Sequence, residues 1–579
     1  MYEIILVLKT KKRIVMKRRD FIKTSILSSS ILVVGCSDKR SDKFIYPDYA
    51  DRSFIVPPLI EPTIVNGKRI FKFSINHNTI EIFKGKLTCV LGYGDSILGP
   101  TIRVDNMDNV GFEITNYLSV NTTVHFHGLH LPAKEDGGPY QIIPPNKTWK
   151  PSWRINQLAS TQWYHPHLEG YTGEQVYKGM AGFFLIDDET SRLLDIPKTY
   201  GVDDLPVVIQ DRRFDEKAQL LYLNKGDFDK SGGMKGYTIL VNGKPVPILN
   251  VPAQVIRLRI LNGSNARIYN LGFEGDIQFY QIASDGGFLE KPVSLTRVLL
   301  GPAERVEILL DLNNSKNTIL RFKSFSAEYY DKQKLNGHQF GGPFKVGGTG
   351  RLSDSVDTLD KINFDVMSIY VNKSTSTNVV RKIPNKLTKI VRLKESDAIK
   401  TRNFGLTVMS GFKINRRVFT SMFKVINGIV LEGEHMLHLI NGVQMDMNVI
   451  NEVVKKGDVE IWRITNGAHT THPFHIHDIQ FQILDREQGD GSDPTLPNEN
   501  ERGWKDTVLL MPEETVRVVA KFDHYADTQY PYMYHCHILE HEDAGMMGQF
   551  LVVEPEDFDT VMTDIDNNKR IPLRSFCEI

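Results

Sequence analysis

One strand occurs three times in this chain of 579 residues. Asn109–Asn116, Gln254–Asn262 and Asp458–Asn466 each alternate in polarity and close on an asparagine. Each has an isoleucine two residues before that asparagine (Ile114, Ile260, Ile464) and a large apolar residue on the same face two positions earlier (Phe112, Leu258, Trp462). Period-two alternation places such residues on one buried face of a strand. Three copies of one strand imply three related domains. The intervening sequence is short alternating segments broken by Gly, Pro, Asn and Asp, with few stretches of helical period, so the expected class is all-β and the expected architecture is three β-sandwich domains. We place them at 60–190, 200–370 and 385–556. Asp187-Asp188-Glu189, after the strand Phe183–Ile186, marks the first boundary, and the Gly-rich stretch 337–350 and the polar stretch 372–386 lie near the second.

The repeat also locates histidines. Nine and eleven residues after Asn116 stand His125 and His127, and the same steps after Asn466 give His475 and His477. After Asn262 they give Leu271 and Phe273. A second repeated element behaves alike: Trp163–His167 matches Met533–His537, so His165 and His167 correspond to His535 and His537, with Pro166 where Cys536 stands. A single His-x-His on a strand is usually incidental. Four pairs at equivalent positions of the outer domains, and none in the middle one, are hard to explain that way. Imidazole suits copper, and eight imidazoles exceed what one ion takes; they fit three coppers with open positions for a small ligand.

Cys536 lies between two of these imidazoles, with His541 five residues on and Met546 ten residues on. Thiolate, imidazoles and a weak thioether are the donor set of a blue-copper site. A zinc site would favour several cysteines or a compact Cys/His spacing, and a His-rich surface segment is the bland alternative. The missing imidazole is His472, three residues before His475. On a strand His535 and His537 face away from the Cys536 side chain, so they serve other metals than the thiolate does. Electrons gathered at the thiolate-bound copper would then reach the cluster through a few covalent bonds. Reducing dioxygen to two waters takes four electrons, which four coppers can store.

These motifs, HFHG at His125–Gly128, HPH at His165–His167, HPFHIH at His472–His477 and HCHILEHEDAGM at His535–Met546, resemble those of the three-domain, laccase-like multicopper oxidases. The likeness is nearest to the periplasmic copper-tolerance oxidases of bacteria, which oxidise Cu(I) and phenols. It implies cupredoxin Greek-key domains and four coppers per chain. His125 and His475 would bind the type 2 copper. His127, His165, His167, His477, His535 and His537 would bind the type 3 pair. His472, Cys536, His541 and Met546 would hold type 1. It also implies that Asp136 lies near the type 2 copper and Glu542 on the proton route to the cluster, both expected to serve catalysis. Asp506 belongs to a family-typical segment, with a structural and a tuning role both open.

The implied reaction is one-electron oxidation of a phenol, an aromatic amine or Cu(I), coupled to reduction of dioxygen, in a copper-tolerance setting. The alternatives are a copper-free relative of this fold, such as the cell-division proteins, and a copper store; the intact donor set and the Cys–His relay argue against both. The family's methionine-rich insert is absent, and Ala468–Thr471 lack the Asp and Met that precede the equivalent of His472 in those oxidases. His435, Met436 and Met445 are a candidate replacement for the cuprous-ion site, since soft thioethers recruit Cu(I). Scattered methionines on strands are otherwise core.

Lys17-Arg18-Arg19-Asp20-Phe21-Ile22-Lys23 resembles a twin-arginine export signal, and Val33-Val34-Gly35-Cys36 a lipobox, so residues 1–36 are expected to direct export of folded protein to the periplasm or cell envelope, with Cys36 as a candidate lipid anchor. Residues 37–60 are expected to be a tether and 557–579 a tail. Formal net charge is zero, which gives no electrostatic reason for a nucleic-acid partner. Of four cysteines, Cys89 and Cys577 are left without a role; pairing and two free thiols are equally open.

Overall fold

Each repeated segment is a strand running inside a sheet: Asn109–Asn116, Val255–Asn262 and Val459–Asn466. The computed structural model describes residues 48–335, 357–372, 379–410 and 436–566, and separately the two-residue strands Ile5–Leu6 and Ile14–Val15, which pair antiparallel. Phe112, Ile114, Leu258, Ile260, Trp462 and Ile464 are all buried, on the face that the alternation predicts.

The closing asparagines explain why the repeat ends where it does. Asn116, Asn262 and Asn466 are fully buried. In each, the side-chain oxygen accepts the N–H two residues on (Leu118, Ser264, Ala468), and the amide donates to carbonyls ahead, Val120 and Ile143, Arg267 and Leu300, Thr470 and Leu510. A short amide side chain that bonds its own backbone two residues on sets a tight turn. This asparagine therefore sends the chain out of one sheet and into the sheet facing it.

That second sheet follows one plan three times. In the first copy Ile102–Asp105 runs parallel to Gly182–Asp187, which pairs Ser160–His165, which pairs His125–His127. In the second, Ile248–Pro252 runs parallel to Phe364–Asn372, followed by Ile319–Ser324 and Tyr269–Phe273. In the third, Glu452–Lys455 runs parallel to Met547–Val553, followed by Tyr532–Cys536 and His472–Ile476. Six sheets thus form three stacked pairs, each closed by a parallel pair that demands a crossover, and the class is all-β with three cupredoxin-like sandwiches. His125 lies opposite His165, and His475 opposite His535; the equivalent middle pair is Leu271 and Ser324. The first and third sandwiches carry their own aromatic cores, around Phe112, Phe126 and Trp153 in one and Phe404, Trp462 and Tyr534 in the other.

Two terminal stretches differ from the expectation of loose chain. The described part of the expected tether, from Tyr49 to Ile60, lies against the body: Ser53 bridges to Ile248, Leu59 to Thr101, and the Arg52 guanidinium donates to the Val246 carbonyl. The expected tail begins as a helix, Phe558–Asp566, whose Phe558, Val561, Met562 and Ile565 pack on Val453 and Leu551. Cys36 and Cys577 lie outside the described residues; Cys89 is exposed.

Candidate metal centre

The eight histidines meet between the first and third sandwiches, each buried to within about 1% of its surface. They meet in four matched pairs. His125 stacks on His477 (ring centroids 4.0 Å apart) and His127 on His475 (3.7 Å). His167 faces His535 (4.9 Å) and His165 faces His537 (5.3 Å). By the repeat, His125 is equivalent to His475 and His127 to His477, so the first of one pair meets the second of the other, both ways. The same holds for His165, His167, His535 and His537. Reciprocal pairing of this kind is the signature of a two-fold, isologous interface, here made within one chain by duplication. Three all-imidazole groups, His125, His127 and His165; His125, His475 and His477; and His167, His477 and His535, each have donor atoms within 4.8 Å of one another.

The rings are held so that one nitrogen is fixed from behind. His125 Nδ1 donates to the Asp136 carbonyl (2.9 Å), His475 Nδ1 to the Asp506 carbonyl (2.8 Å), and His165 Nδ1 to the Pro166 carbonyl (2.8 Å). His477 Nδ1 donates to Asp136 Oδ2 (2.8 Å), and His127 Nε2 to Asp506 Oδ1 (3.1 Å). Glu542 lies between His535 Nδ1 (3.1 Å) and His167 Nδ1 (3.4 Å). The opposite nitrogens, His125 Nε2, His127 Nδ1, His165 Nε2 and His475 Nε2, have no hydrogen-bond partner. His167 Nε2 and His477 Nε2 each lie about 3.3 Å or less from His535 Nε2.

Cys536 faces the other way. Its Sγ lies 3.1 Å from His472 Nδ1 and 3.8 Å from His541 Nδ1, and its N–H donates to the Met546 carbonyl. The far nitrogens are again fixed, His472 Nε2 at Thr470 Oγ1 (3.1 Å) and His541 Nε2 by donation to the Ser231 carbonyl (3.0 Å). Met546 is fully buried in the same core. The short helix Leu539–Asp543 distributes three consecutive side chains about 100° apart. Glu540 reaches Asn265 and the Met234 N–H, His541 the thiol, and Glu542 the histidine cluster.

This geometry has relatives. Two family models described as multicopper oxidase match residues 74–191 and 415–556. Over 84% of its length the chain is 34% identical to the multicopper oxidase mco of Staphylococcus aureus, covering 90% of that protein. The chain belongs to the multicopper oxidase family. Among solved structures it is similar to the McoA multicopper oxidase of Aquifex aeolicus (30% identity, TM-score 0.70, 87% of this chain and 99% of that one). It is also similar to a laccase-like multicopper oxidase, CueO, from the lignin-degrading bacterium Ochrobactrum sp., which has oxidase activity towards lignin model compounds and lignosulfonate (31%, TM-score 0.69, 86% and 100%). The cell division protein FtsP of Escherichia coli is 32% identical over 86% of the chain and 92% of FtsP.

For a multicopper oxidase the donors are in the right state. Burial is the main force lowering the basicity of His127, His165, His475, His477, His537 and His541, with neighbouring imidazoles adding to it. It brings His167 down to about 4 and His472 to about 3. These imidazoles are neutral at pH 7, as metal binding requires. Burial pushes the Cys536 thiol well up, so a bound cation is what would make it a thiolate. Buried nitrogens without partners cost about 1–3 kcal/mol each. Several of them converging on one space, beside a soft sulfur with two imidazoles, fit copper.

The sign of the pH dependence follows. A histidine whose folded value is depressed binds its proton in the unfolded chain first, so stability is full above the unfolded value of about 6.5 and falls as pH drops towards the folded values. The copper-free protein is expected to lose stability between about pH 6.5 and pH 4, at roughly 1.4 kcal/mol per pH unit per depressed histidine, measured as the denaturant midpoint across that range. A midpoint that stays flat there would refute the neutral, buried assignment.

Of two residues near the centre, Arg305 went unread in the sequence and His438 stood there only as one of the polar residues among the scattered methionines. Arg305, from the middle sandwich, holds Asp506 between two guanidinium nitrogens (2.8 and 2.5 Å). Nothing in its local pattern distinguishes it from any strand arginine. His438 is buried with its ring 4.2 Å from that of His541; only its lying among the scattered methionines hinted at it. Gly128 of HFHG has φ 78°, and a Cβ there would collide with Gln162 and Asp506, which is why that motif ends on glycine. Of the candidate cuprous-ion site, His435 lies outside the described residues, Met436 opens a strand, and Met445 is half-buried with its N–H on the Gly545 carbonyl, next to Met546.

Proposed function

We propose that this chain reduces dioxygen to water with electrons taken singly from a small reductant, using four coppers held by the outer two of three domains, 60–190 and 385–556, with the domain at 200–370 supplying no copper ligand. The observation that carries the reading is the position of Cys536, whose sulfur sits with His472 and His541 while its covalent neighbours His535 and His537 sit with the other six imidazoles. Bound copper would supply the one-electron redox chemistry and the open positions for dioxygen.

In this reading His472, Cys536, His541 and Met546 hold the type 1 copper. His125 and His475 hold type 2, and His127, His165, His167, His477, His535 and His537 hold the type 3 pair. Asp136 orients His477 through its carboxylate and His125 through its carbonyl. Its Oδ1 is buried and unpartnered, free to accept or deliver a proton beside the cluster. Glu542, between His167 and His535, is the second proton-handling group. Asp506 positions rings with both its carboxylate and its carbonyl.

The reductant in this reading is a phenol or aromatic amine. The outer nitrogen of His472 meets Thr470, which is half-exposed and follows the exposed His469, so an aromatic molecule can approach the ligand edge from solvent. A second reading, Cu(I) oxidation in copper tolerance, draws on Met445 lying beside the Met546 segment and on the likeness to the multicopper oxidase of Campylobacter jejuni, a metallo-oxidase (26% identity). A copper-free structural role, such as one in cell division, would leave the convergent nitrogens unexplained. Export through residues 1–36 and lipid attachment at Cys36 complete the proposal, placing the enzyme in the periplasm or cell envelope. Oxygen uptake by copper-loaded protein, measured in parallel with a dimethoxyphenol, Fe(II) and Cu(I), decides. A rate with the phenol alone removes copper tolerance, and no rate with any of them overturns the oxidase.

A further inference from the structure

The two imidazoles beside the Cys536 sulfur have different surroundings. The outer nitrogen of His472 meets Thr470, which is half-exposed. That of His541 donates to the Ser231 carbonyl, in the middle sandwich's short helix Asp227–Gly232. Glu540, the residue before His541, accepts the Met234 N–H (2.8 Å) and the Asn265 amide (2.7 Å), which ties the chain just after that helix to the same place.

His541 also carries a second imidazole against its ring. His438, on the strand Met436–Ile440, is fully buried. Its ring centroid is 4.2 Å from that of His541, with the planes 30° apart; His472 stands further off, at 5.0 Å and 38°. His438 is not one of the donors. The donor atoms of His472, Cys536 and His541 lie within 4.8 Å of one another, and His438 is outside that set.

His438 is an expensive choice for a packing residue. Among the described residues neither of its ring nitrogens has a hydrogen-bond partner, whereas a leucine would fill a core-facing strand position with no polar atom to bury. Burial lowers its basicity, so the ring is neutral. A neutral imidazole beside a cation favours that cation in two ways. Its electron-rich face attracts positive charge. With no partner to fix its tautomer, it is also free to take the one that turns its dipole's negative end towards the charge.

We propose that His438 is a positioning residue for the type 1 copper, acting through the ring of His541 to favour the oxidised metal and so lower the potential at which the outer site takes an electron. This rests on the reading of His472, Cys536, His541 and Met546 as that site. The oxidised site carries one more positive charge than the reduced one, so whatever attracts positive charge lowers the potential, and removing it raises the potential. A lowered potential confines the outer site to electron-rich reductants, such as methoxylated phenols and aromatic amines.

Full-length, copper-loaded wild type, His438→Leu and His438→Phe are held at a series of fixed potentials, and the blue absorption is read at each. At the potential where wild type is half bleached, the ratio of reduced to oxidised site in His438→Leu is expected to be about tenfold higher, a rise of about 59 mV for one electron. His438→Phe keeps a ring face and loses the dipole, so its potential is expected between the two. Leucine is nearer to histidine in volume than phenylalanine is, so a role in packing alone would give the opposite order. His438→Leu at or below the wild-type potential overturns the inference. Should His438→Leu fail to load copper, His438→Phe decides alone: above wild type supports it, and at or below wild type overturns it. A wild type that never turns blue overturns the type 1 reading and this inference with it, whereas blue protein with unmoved potentials overturns the inference only.

Discussion

Cys536→Ser is expected to yield a colourless protein that consumes no oxygen with any reductant, yet still binds metal at the eight histidines. The substitution is nearly isosteric, and the sulfur lies in a fully buried core, so the fold has little reason to change. What changes is the donor. A serine hydroxyl is a hard ligand that does not ionise near neutral pH, and the blue absorption belongs to soft thiolate bound to copper. His472 and His541 remain, but two imidazoles and a thioether hold Cu(II) far less firmly than the full set. Copper should fall from about four to about three per chain, the visible band should vanish, and oxygen uptake should stop, because the covalent link from the outer site to His535 and His537 no longer begins at a metal. A variant that stays blue would mean the thiolate has been misassigned.

Arg305→Ala is expected to cost about 3–5 kcal/mol of stability, the range for removing one partner of a buried ion pair. Arg305 and Asp506 are both fully buried and doubly bonded. The guanidinium also donates to the Thr161 carbonyl in the first sandwich (3.0 Å), while Asp506 belongs to the third. One side chain of the middle sandwich thus ties the two that carry the histidines. Its loss leaves a carboxylate in the dry interior next to His127 and His475, so copper content should fall together with the denaturant midpoint. The double variant Arg305→Met with Asp506→Leu should recover part of the stability, because no uncompensated charge remains, but not the copper, because His127 loses its acceptor. A single variant as stable as wild type would show that this pair is not needed.

The two predictions differ in how far the sequence could have reached them. Cys536 announces itself by its spacing from His541 and Met546 and by the histidines on either side. Arg305 does not, since its partner is 201 residues away and its strand reads like its neighbours. Between these extremes lies Asp506. Its segment was recognisable, but two roles stayed open until its carboxylate was seen at His127 and its carbonyl at His475.

The sequence by itself determined the three copies, the sheet class, and which histidines share a face, because residues two apart on a strand point the same way and the covalent chain enforces it. Tertiary structure alone decided which histidine meets which across the interface and the Arg305–Asp506 tie. Those contacts join residues hundreds of positions apart. They depend on how finished sandwiches dock, and docking leaves no periodic trace in the order of the amino acids.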